Sequence, residues 1–142
     1  MKKKILITLT LLVLVFSICF AVACDKGHKE PIIPDEKTIV ISVEKNDLKD
    51  GEMTLLEYME VLKNEGKLEF TVNNGMVTSI NNIENAQDYS SCWMLYTSDT
   101  ENSNEAWGTV KYNEKNYASS TLGVESLIIK EGQLYIWAYI TF

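Results

Sequence analysis

The segment TLLEYMEVLKNEG, residues 54–66, decides the fold of this 142-residue chain. Thr54 and Glu57 have the spacing of a capping box, in which each side chain binds a free backbone amide at the start of a helix. Apolar residues then recur on one face at helical spacing: Leu55, Leu56, Met59 and Leu62. Gly66 suits the left-handed residue that ends many helices. The segment therefore predicts one amphipathic helix of about three turns.

Strands are predicted on both sides of this helix. Residues 38–43 are β-branched and mostly apolar, as strands are. After the helix, residues 68–72 alternate, Asn74-Gly75 favours a tight hairpin turn, and residues 76–80 return. Further strands are predicted at residues 92–97, 107–112, 127–129 and 134–140, with polar loops at residues 81–88 and 98–106. This order predicts an α+β fold, a mixed but mostly antiparallel sheet with one helix packed on one face.

The N-terminus has the pattern of a secretory signal peptide. Three lysines precede an apolar run from Ile5 to Ala23, and small residues stand before Cys24. The sequence Ala-Val-Ala-Cys at residues 21–24 resembles a bacterial lipobox, which implies that residues 1–23 are removed and that Cys24 carries lipid. An uncleaved anchor is the alternative, because a mostly apolar segment of 19 residues is just long enough to span a bilayer. Either arrangement predicts a domain held at the cell membrane and facing the outside.

The remaining chain divides into a tether and one domain. Residues 24–37 are charged, contain both prolines and show no periodicity, so they are interpreted as the lipidated Cys24 and a flexible tether. Residues 38–142 are predicted to form a single domain. His28, the only histidine, falls in the tether, so no Ser–His or Cys–His nucleophile pair is predicted in the domain. We therefore predict no enzymatic activity and no cofactor, with a hydrolase using two carboxylates as the weaker alternative.

Charge restricts the partners of the domain. After residue 23 the chain has ten lysines, no arginine and all 20 acidic residues, a net charge of −10. Nucleic acid is excluded as a partner, because its binding depends on Lys and Arg that neutralise phosphates. Attachment to the membrane is assigned to the lipid on Cys24. Cys92 has no cysteine partner in the domain and is predicted to be a buried, inert thiol.

Four segments resemble a known family in their order along the chain. They are the capped helix at residues 54–62, residues 74–83 (NGMVTSINNI), the tryptophan strand at residues 91–96 (SCWMLY) and the ending at residues 130–139 (KEGQLYIWAY). This order resembles the transcobalamin/intrinsic-factor C-terminal-like domains, which belong to the soluble-ligand-binding β-grasp group. The resemblance implies a β-grasp sheet that holds one helix. It does not imply cobalamin binding, because the chain lacks room for the helical domain that closes over that ligand.

Aromatic side chains near the C-terminus form the predicted ligand site. Tyr135, Trp137 and Tyr139 alternate along the last strand and share one face. If the helix covers the other face, these rings form an open platform with Trp93 and Tyr96 beside it. The alternative is that the loop at residues 98–117 folds over them and completes a second core.

An acidic loop forms a weaker candidate site. Asp99, Glu101, Ser103 and Glu105 place oxygen atoms at every second position, as calcium loops do. The spacing does not match an EF-hand loop, and a plain solvated loop is the alternative.

These patterns predict a lipid-anchored, extracytoplasmic and non-catalytic binding domain. Its ligand is predicted to be a small molecule, a glycan or a surface partner. The alternative is a structural or assembly module of the cell envelope without a small-molecule ligand. An open aromatic face favours the first prediction, and a covered face favours the second.

Overall fold

The computed structural model describes residues 27–48 and 51–142. The strands there are β1 (Ile32–Asp35), β2 (Thr38–Ser42), β3 (Phe70–Asn73), β4 (Met76–Ile80), β5 (Ile83–Glu84), β6 (Ser91–Thr97), β7 (Ser103–Tyr112), β8 (Lys115–Ser120) and β9 (Leu134–Thr141), and the helix α1 is Leu55–Asn64. Short 3₁₀ helices span Lys45–Leu48 and Thr100–Asn102. Within the described ranges no helix is long and apolar enough to cross a bilayer. The predicted signal peptide, residues 1–23, and Cys24 lie outside these ranges.

The strands form two sheets. The larger sheet has six strands in the order β1-β2-β9-β6-β8-β7, and the smaller has three in the order β3-β4-β5. The class is α+β, as predicted. Every strand pair among the described residues is antiparallel, so the parallel pair expected of a mixed sheet is not formed there. The long central pair β6–β9 is in continuous register from Ser91↔Thr141 to Thr97↔Tyr135.

The helix begins and ends at the predicted residues. The Glu57 amide donates to Thr54 Oγ1 at 3.2 Å, and the Thr54 amide donates to Glu57 Oε2 at 2.7 Å. This bond to the carboxylate lowers the pKa of Glu57. At the other end Gly66 has a φ of 72°, and its amide donates to the Lys63 carbonyl at 2.9 Å. Both ends of α1 therefore follow from local sequence.

The start of α1 is hydrogen-bonded to an irregular segment of the chain, at a place where the sequence predicts a strand. The sequence predicts a strand at residues 127–129, but only Ile128 forms a single bridge, with Thr54. The amide of Leu55 donates to the Leu127 carbonyl at 2.8 Å, and the amide of Leu56 donates to the Val124 carbonyl at 3.0 Å. Free amides at a helix start need acceptors, so this segment pairs with the helix instead of with β9.

Tight turns build the smaller sheet. The predicted hairpin forms, with Asn74 and Gly75 at φ values of 49° and 77° between β3 and β4. A second pair, Asn81 and Asn82, has φ values of 46° and 67° and returns the chain as β5. Residues 81–88 were predicted as loop, so the short strand β5 is a correction. Asparagine tolerates this left-handed conformation better than most residues.

The main core lies between the larger sheet on one side and α1 with the smaller sheet on the other. Its buried residues are Ile39, Ile41, Val43, Leu55, Tyr58, Met59, Leu62, Leu68, Phe70, Val77, Ile80, Trp93, Leu95, Val124, Leu127, Ile129, Tyr135 and Trp137. Every buried apolar residue of the described chain lies between residues 39 and 138. The domain thus contains its own core, and we expect it to fold without residues 1–23.

The opposite face of the larger sheet carries a second, smaller core. Val40, Tyr96, Ile136 and Ala138 are buried there, and Val110, Tyr112 and Tyr117 pack against them. The last three belong to the hairpin of β7 and β8, which turns at residues 113–114. The strand predicted at residues 107–112 is found within β7, which begins earlier than predicted, whereas β8 was not predicted. The two strands extend the sheet and cover part of this face.

The domain begins before its predicted boundary at residue 38. Residues 32–35 form β1, an edge strand paired with β2, and an edge strand accommodates Pro34. Upstream of it, His28 Nδ1 lies 2.7 Å from Glu65 Oε1, and the His28 ring meets Tyr58 edge-on at 5.5 Å between centroids. The interpretation of residues 24–37 as a flexible tether is therefore wrong for the described part of it, which is joined to the fold.

Candidate functional site

The five aromatic residues predicted to form a platform do not share one open face. Trp93, Tyr135 and Trp137 are at most 4% exposed and lie in the main core, and the partly buried Tyr139 packs against it. Tyr96 is buried on the opposite face of the sheet. The prediction of an open aromatic platform is wrong, because α1 covers the aromatic face of β9 rather than the aliphatic one.

Most polar atoms of these aromatic side chains form hydrogen bonds within the protein. The Tyr135 hydroxyl accepts the Lys130 amide at 2.9 Å, and burial raises the pKa of Tyr135. The Tyr139 hydroxyl donates to the Glu84 carbonyl at 2.9 Å, and Trp93 Nε1 donates to the Ile83 carbonyl at 2.8 Å. These bonds identify Trp93, Tyr135 and Tyr139 as packing residues with paired polar groups.

Trp137 differs from its neighbours. Its Nε1 is buried and has no hydrogen-bond acceptor among the described residues. A buried donor left unpaired costs about 1–3 kcal/mol, so each such group calls for an explanation. The side chain of Trp137 also lines a recess that opens at the surface, where an acceptor from outside can approach the indole.

We name this recess the tryptophan cleft. It is lined by Asn74, Gly75, Met76, Val77, Trp93, Leu95, Leu122, Gly123, Val124 and Trp137 and encloses about 330 Å³. Side chains from both sheets meet here with an irregular segment of the chain. The volume lies at the lower end of the range for small-molecule sites.

Two backbone segments form the walls of the tryptophan cleft. One is the β3–β4 turn, and the other is residues 122–124, held in place by their continuation along the start of α1. The walls approach closely, because a Cβ atom on Gly123 would lie 3.9 Å from the Gly75 carbonyl oxygen. Met76 and Leu122 are 49% and 38% exposed, so large apolar side chains stand at the rim. An apolar, water-exposed rim around a recess is typical of a binding site.

No family model, no curated protein and no solved structure matches this chain.

The sequence predicted some residues of this site but not how they come together. Trp93 and Trp137 were predicted as ligand residues and do line the tryptophan cleft. Met76 belongs to the turn segment at residues 74–83, and this segment supplies lining residues, as do the tryptophan strand and the C-terminal ending. Leu122 and Val124 had no signal, because they lie in an irregular stretch whose position depends on the helix it contacts.

Two of the four candidate calcium ligands, Asp99 and Glu101, form ion pairs with a lysine. Lys130 Nζ lies 2.9 Å from Asp99 Oδ2 and 2.6 Å from Glu101 Oε2. Bonds from Glu101 and Asp99 raise the pKa of Lys130. Burial raises the pKa of Asp99, but bonds from Lys130, Asn102 and the Glu101 amide outweigh it and leave that pKa lowered. Among the described residues no group of three or more His, Cys, Asp or Glu side chains is placed to hold a metal ion.

The remaining two members of the predicted calcium loop lie on β7. Ser103 begins that strand and pairs with Ser120, and Glu105 is exposed further along it. Both residues therefore lie on a strand rather than in a loop, although the pairing of β7 with β8 is interrupted between Asn104 and Thr109. The ammonium group of Lys130, not a metal ion, neutralises the acidic pair that precedes them.

Cys92 is half-buried and free. Burial raises the pKa of its thiol, which lowers the thiolate fraction at neutral pH. This agrees with the prediction of an unreactive thiol rather than an exposed, activated one.

Proposed function

We propose that this chain is a lipid-anchored, extracytoplasmic and non-catalytic binding domain, and that its tryptophan cleft takes a small molecule. The observation that carries the proposal is the cleft itself, with two tryptophans at its base and two exposed apolar side chains at its rim. Covering this rim would remove its apolar surface from water, which favours binding by about 25 cal/mol for each Å² buried. An assembly module without a small-molecule ligand is the rival function.

The shape and chemistry of the cleft restrict the ligand class. A volume of about 330 Å³ admits a single aromatic ring or a short branched chain. The unpaired Trp137 Nε1–H favours a ligand that also carries a hydrogen-bond acceptor. Because this nitrogen is enclosed, the acceptor reaches it only when the lining moves slightly. Acetophenone has these properties, with one ring and one carbonyl group, and ethylbenzene is its counterpart without the acceptor.

Indole NMR signals of a chain comprising residues 25–142 provide the test. The three tryptophans of the domain give three indole N–H signals, and that of Trp107, which is exposed on β7 and does not line the cleft, is the internal control. We expect acetophenone to move the Trp137 signal saturably with a millimolar dissociation constant, as suits so small a ligand. Ethylbenzene should bind more weakly and leave that N–H unpaired. Failure of acetophenone to move the Trp137 signal would favour the assembly module.

We expect Met76→Lys to weaken acetophenone binding at least tenfold, since it places a charge at the apolar rim. Ile33→Lys on β1 is the matched control, because Ile33 and Met76 are both 49% exposed and the two variants gain the same charge. Chemical-shift titration of each variant measures the change. Equal affinities in the two variants would place the ligand outside the tryptophan cleft.

The membrane attachment is proposed from residues 1–24. We expect the full chain, expressed in a bacterium that processes lipoproteins, to incorporate a labelled fatty acid. Cys24→Ala should lose that label, because the thiol of the lipobox-like sequence is then absent. Cys92→Ala is the control and should keep it. A Cys24→Ala chain that retains both the label and its cleaved length would refute anchoring through Cys24.

The β-grasp assignment is likewise a proposal. The resemblance to transcobalamin/intrinsic-factor C-terminal-like domains supports it, as does a helix held against one face of a sheet. Three of the resembling segments also meet at the tryptophan cleft. Cobalamin itself is not proposed as the ligand.

A further inference from the structure

We propose that a second recess, on the smaller sheet, binds a neutral carbohydrate. This recess, which we name the tyrosine recess, encloses about 310 Å³ between β3, β4 and the chain that follows β5. It shares no lining residue with the tryptophan cleft. The inference therefore goes beyond the small-molecule site proposed above and does not depend on it.

Several side chains that line the tyrosine recess have hydrogen-bonding groups that are available to a ligand. Ser79, Glu84 and Gln87 line it, and their side chains make no hydrogen bond or ion pair within the described chain. A hydroxyl, a carboxylate and an amide together offer donors and acceptors in one place. Such a set suits a ligand that carries several hydroxyl groups.

The floor of the recess is rigid. Asn85 Nδ2 donates to the Val77 carbonyl at 3.0 Å, and Asn85 Oδ1 accepts the Trp93 amide at 2.9 Å. Thr78 Oγ1 donates to the Thr71 carbonyl at 3.3 Å. The bonds of Asn85 join the two sheets, and the bond of Thr78 holds β4 to β3, so the backbone that carries the recess is fixed in place.

Tyr89 presents an aromatic ring at the edge of this recess. It is 59% exposed and has a φ of 57°, a conformation that bulky residues rarely adopt. The turn around it is fixed, because the Tyr89 amide donates to the Ala86 carbonyl at 2.9 Å and Ser90 Oγ donates to Asp88 Oδ1 at 2.7 Å. Backbone strain that holds an exposed ring in place is typical of a functional position.

A sugar ring matches this combination. Its C–H face packs on a flat aromatic ring, while its hydroxyl groups bond to amides and carboxylates. Glu84 is the one charged side chain among the residues that line the recess, and the chain carries a net charge of −7. An acidic surface repels phosphorylated, sulfated and carboxylated sugars. The geometry therefore favours neutral or N-acetylated sugars.

The test is an NMR titration of the full chain in micelles of a detergent without sugar head groups. The probes are chitotriose, cellotriose and maltotriose. We expect at least one of them to move the Tyr89 ring and Gln87 side-chain amide signals saturably, while the Trp137 and Met76 signals stay in place. A response to chitotriose alone would indicate the acetamide of wall-type glycans, and a response to the others would indicate plain neutral sugars.

Tyr89→Gly is expected to weaken sugar binding at least tenfold without lowering the melting temperature. Glycine adopts a positive φ freely, so this variant removes the ring and the backbone strain together. Trp107→Ala is the control, because Trp107 is also 59% exposed but lies on β7, away from the recess. Its affinity should equal that of the unmodified chain.

Either of two results would overturn the inference: no probe gives a saturable shift at Tyr89, or the shift survives in Tyr89→Gly. Both are independent of the tryptophan cleft, because that site is read from Trp137 and Met76. An acetophenone site without a sugar site, or the reverse, therefore identifies which of the two proposals fails.

Discussion

Trp137→Ala should lower the free energy of unfolding by about 3–5 kcal/mol, the usual cost of removing a large aromatic side chain from a core. Trp137 is 4% exposed and packs among the residues of the main core. Because Trp137 lines the tryptophan cleft, its removal enlarges that cleft into the main core. An open aromatic platform would instead predict a stable variant that has lost only its ligand.

Urea unfolding followed by circular dichroism measures this change. Trp107→Ala is the matched control, with the same substitution at a residue that is 59% exposed on β7. We expect that variant to stay within about 0.5 kcal/mol of the unmodified domain. Similar losses of stability in the two variants would show that Trp137 is not a core residue.

Asn85→Ala is expected to destabilise the domain by about 2–4 kcal/mol, because it leaves two backbone groups unpaired. Strand β8 pairs with β6 only at Tyr96 and Thr97, so the earlier part of β6 has no strand on that side. The side chain of Asn85 provides a hydrogen bond to β6 in place of a neighbouring strand. Its side chain accepts the Trp93 amide at 2.9 Å and donates to the Val77 carbonyl at 3.0 Å.

Urea unfolding and amide hydrogen exchange provide the test for Asn85. The Trp93 amide should exchange faster in Asn85→Ala by the loss of its acceptor. Asn116→Ala is the control, since Asn116 is exposed on β8 and its side chain makes no hydrogen bond within the described chain. Unchanged Trp93 protection in Asn85→Ala would contradict the role of Asn85 as a link between the sheets.

The link through Asn85 also connects stability with the candidate sites. Asn85 forms the floor of the tyrosine recess, and its partner residues Val77 and Trp93 line the tryptophan cleft. Both sites thus lie where the smaller sheet joins the larger one. A destabilised junction would weaken both, which is why the binding tests use rim residues such as Met76 and Tyr89 instead.

Local sequence determined the parts of the fold that depend on nearby residues. The helix start at Thr54, its end at Gly66 and the Asn74-Gly75 turn are all found where predicted. Capping boxes, left-handed glycines and Asn-Gly turns act over three or four residues, so the sequence alone contains their cause. The central position of the strand at residues 92–97 also followed from its two apolar faces.

The tertiary structure alone decided which surfaces meet. Period-two alternation separates the faces of β9, but it does not say which face α1 covers, and the aromatic face is the one buried. Lys130 and Asp99 form an ion pair although they lie 31 positions apart in the sequence. Residues 122–124 and the β3–β4 turn also meet although they are far apart in the sequence. Such contacts depend on the packing of the whole chain. For this reason the sequence identified Trp93 and Trp137, whereas only the fold brought Met76 and Leu122 beside them to form a cleft.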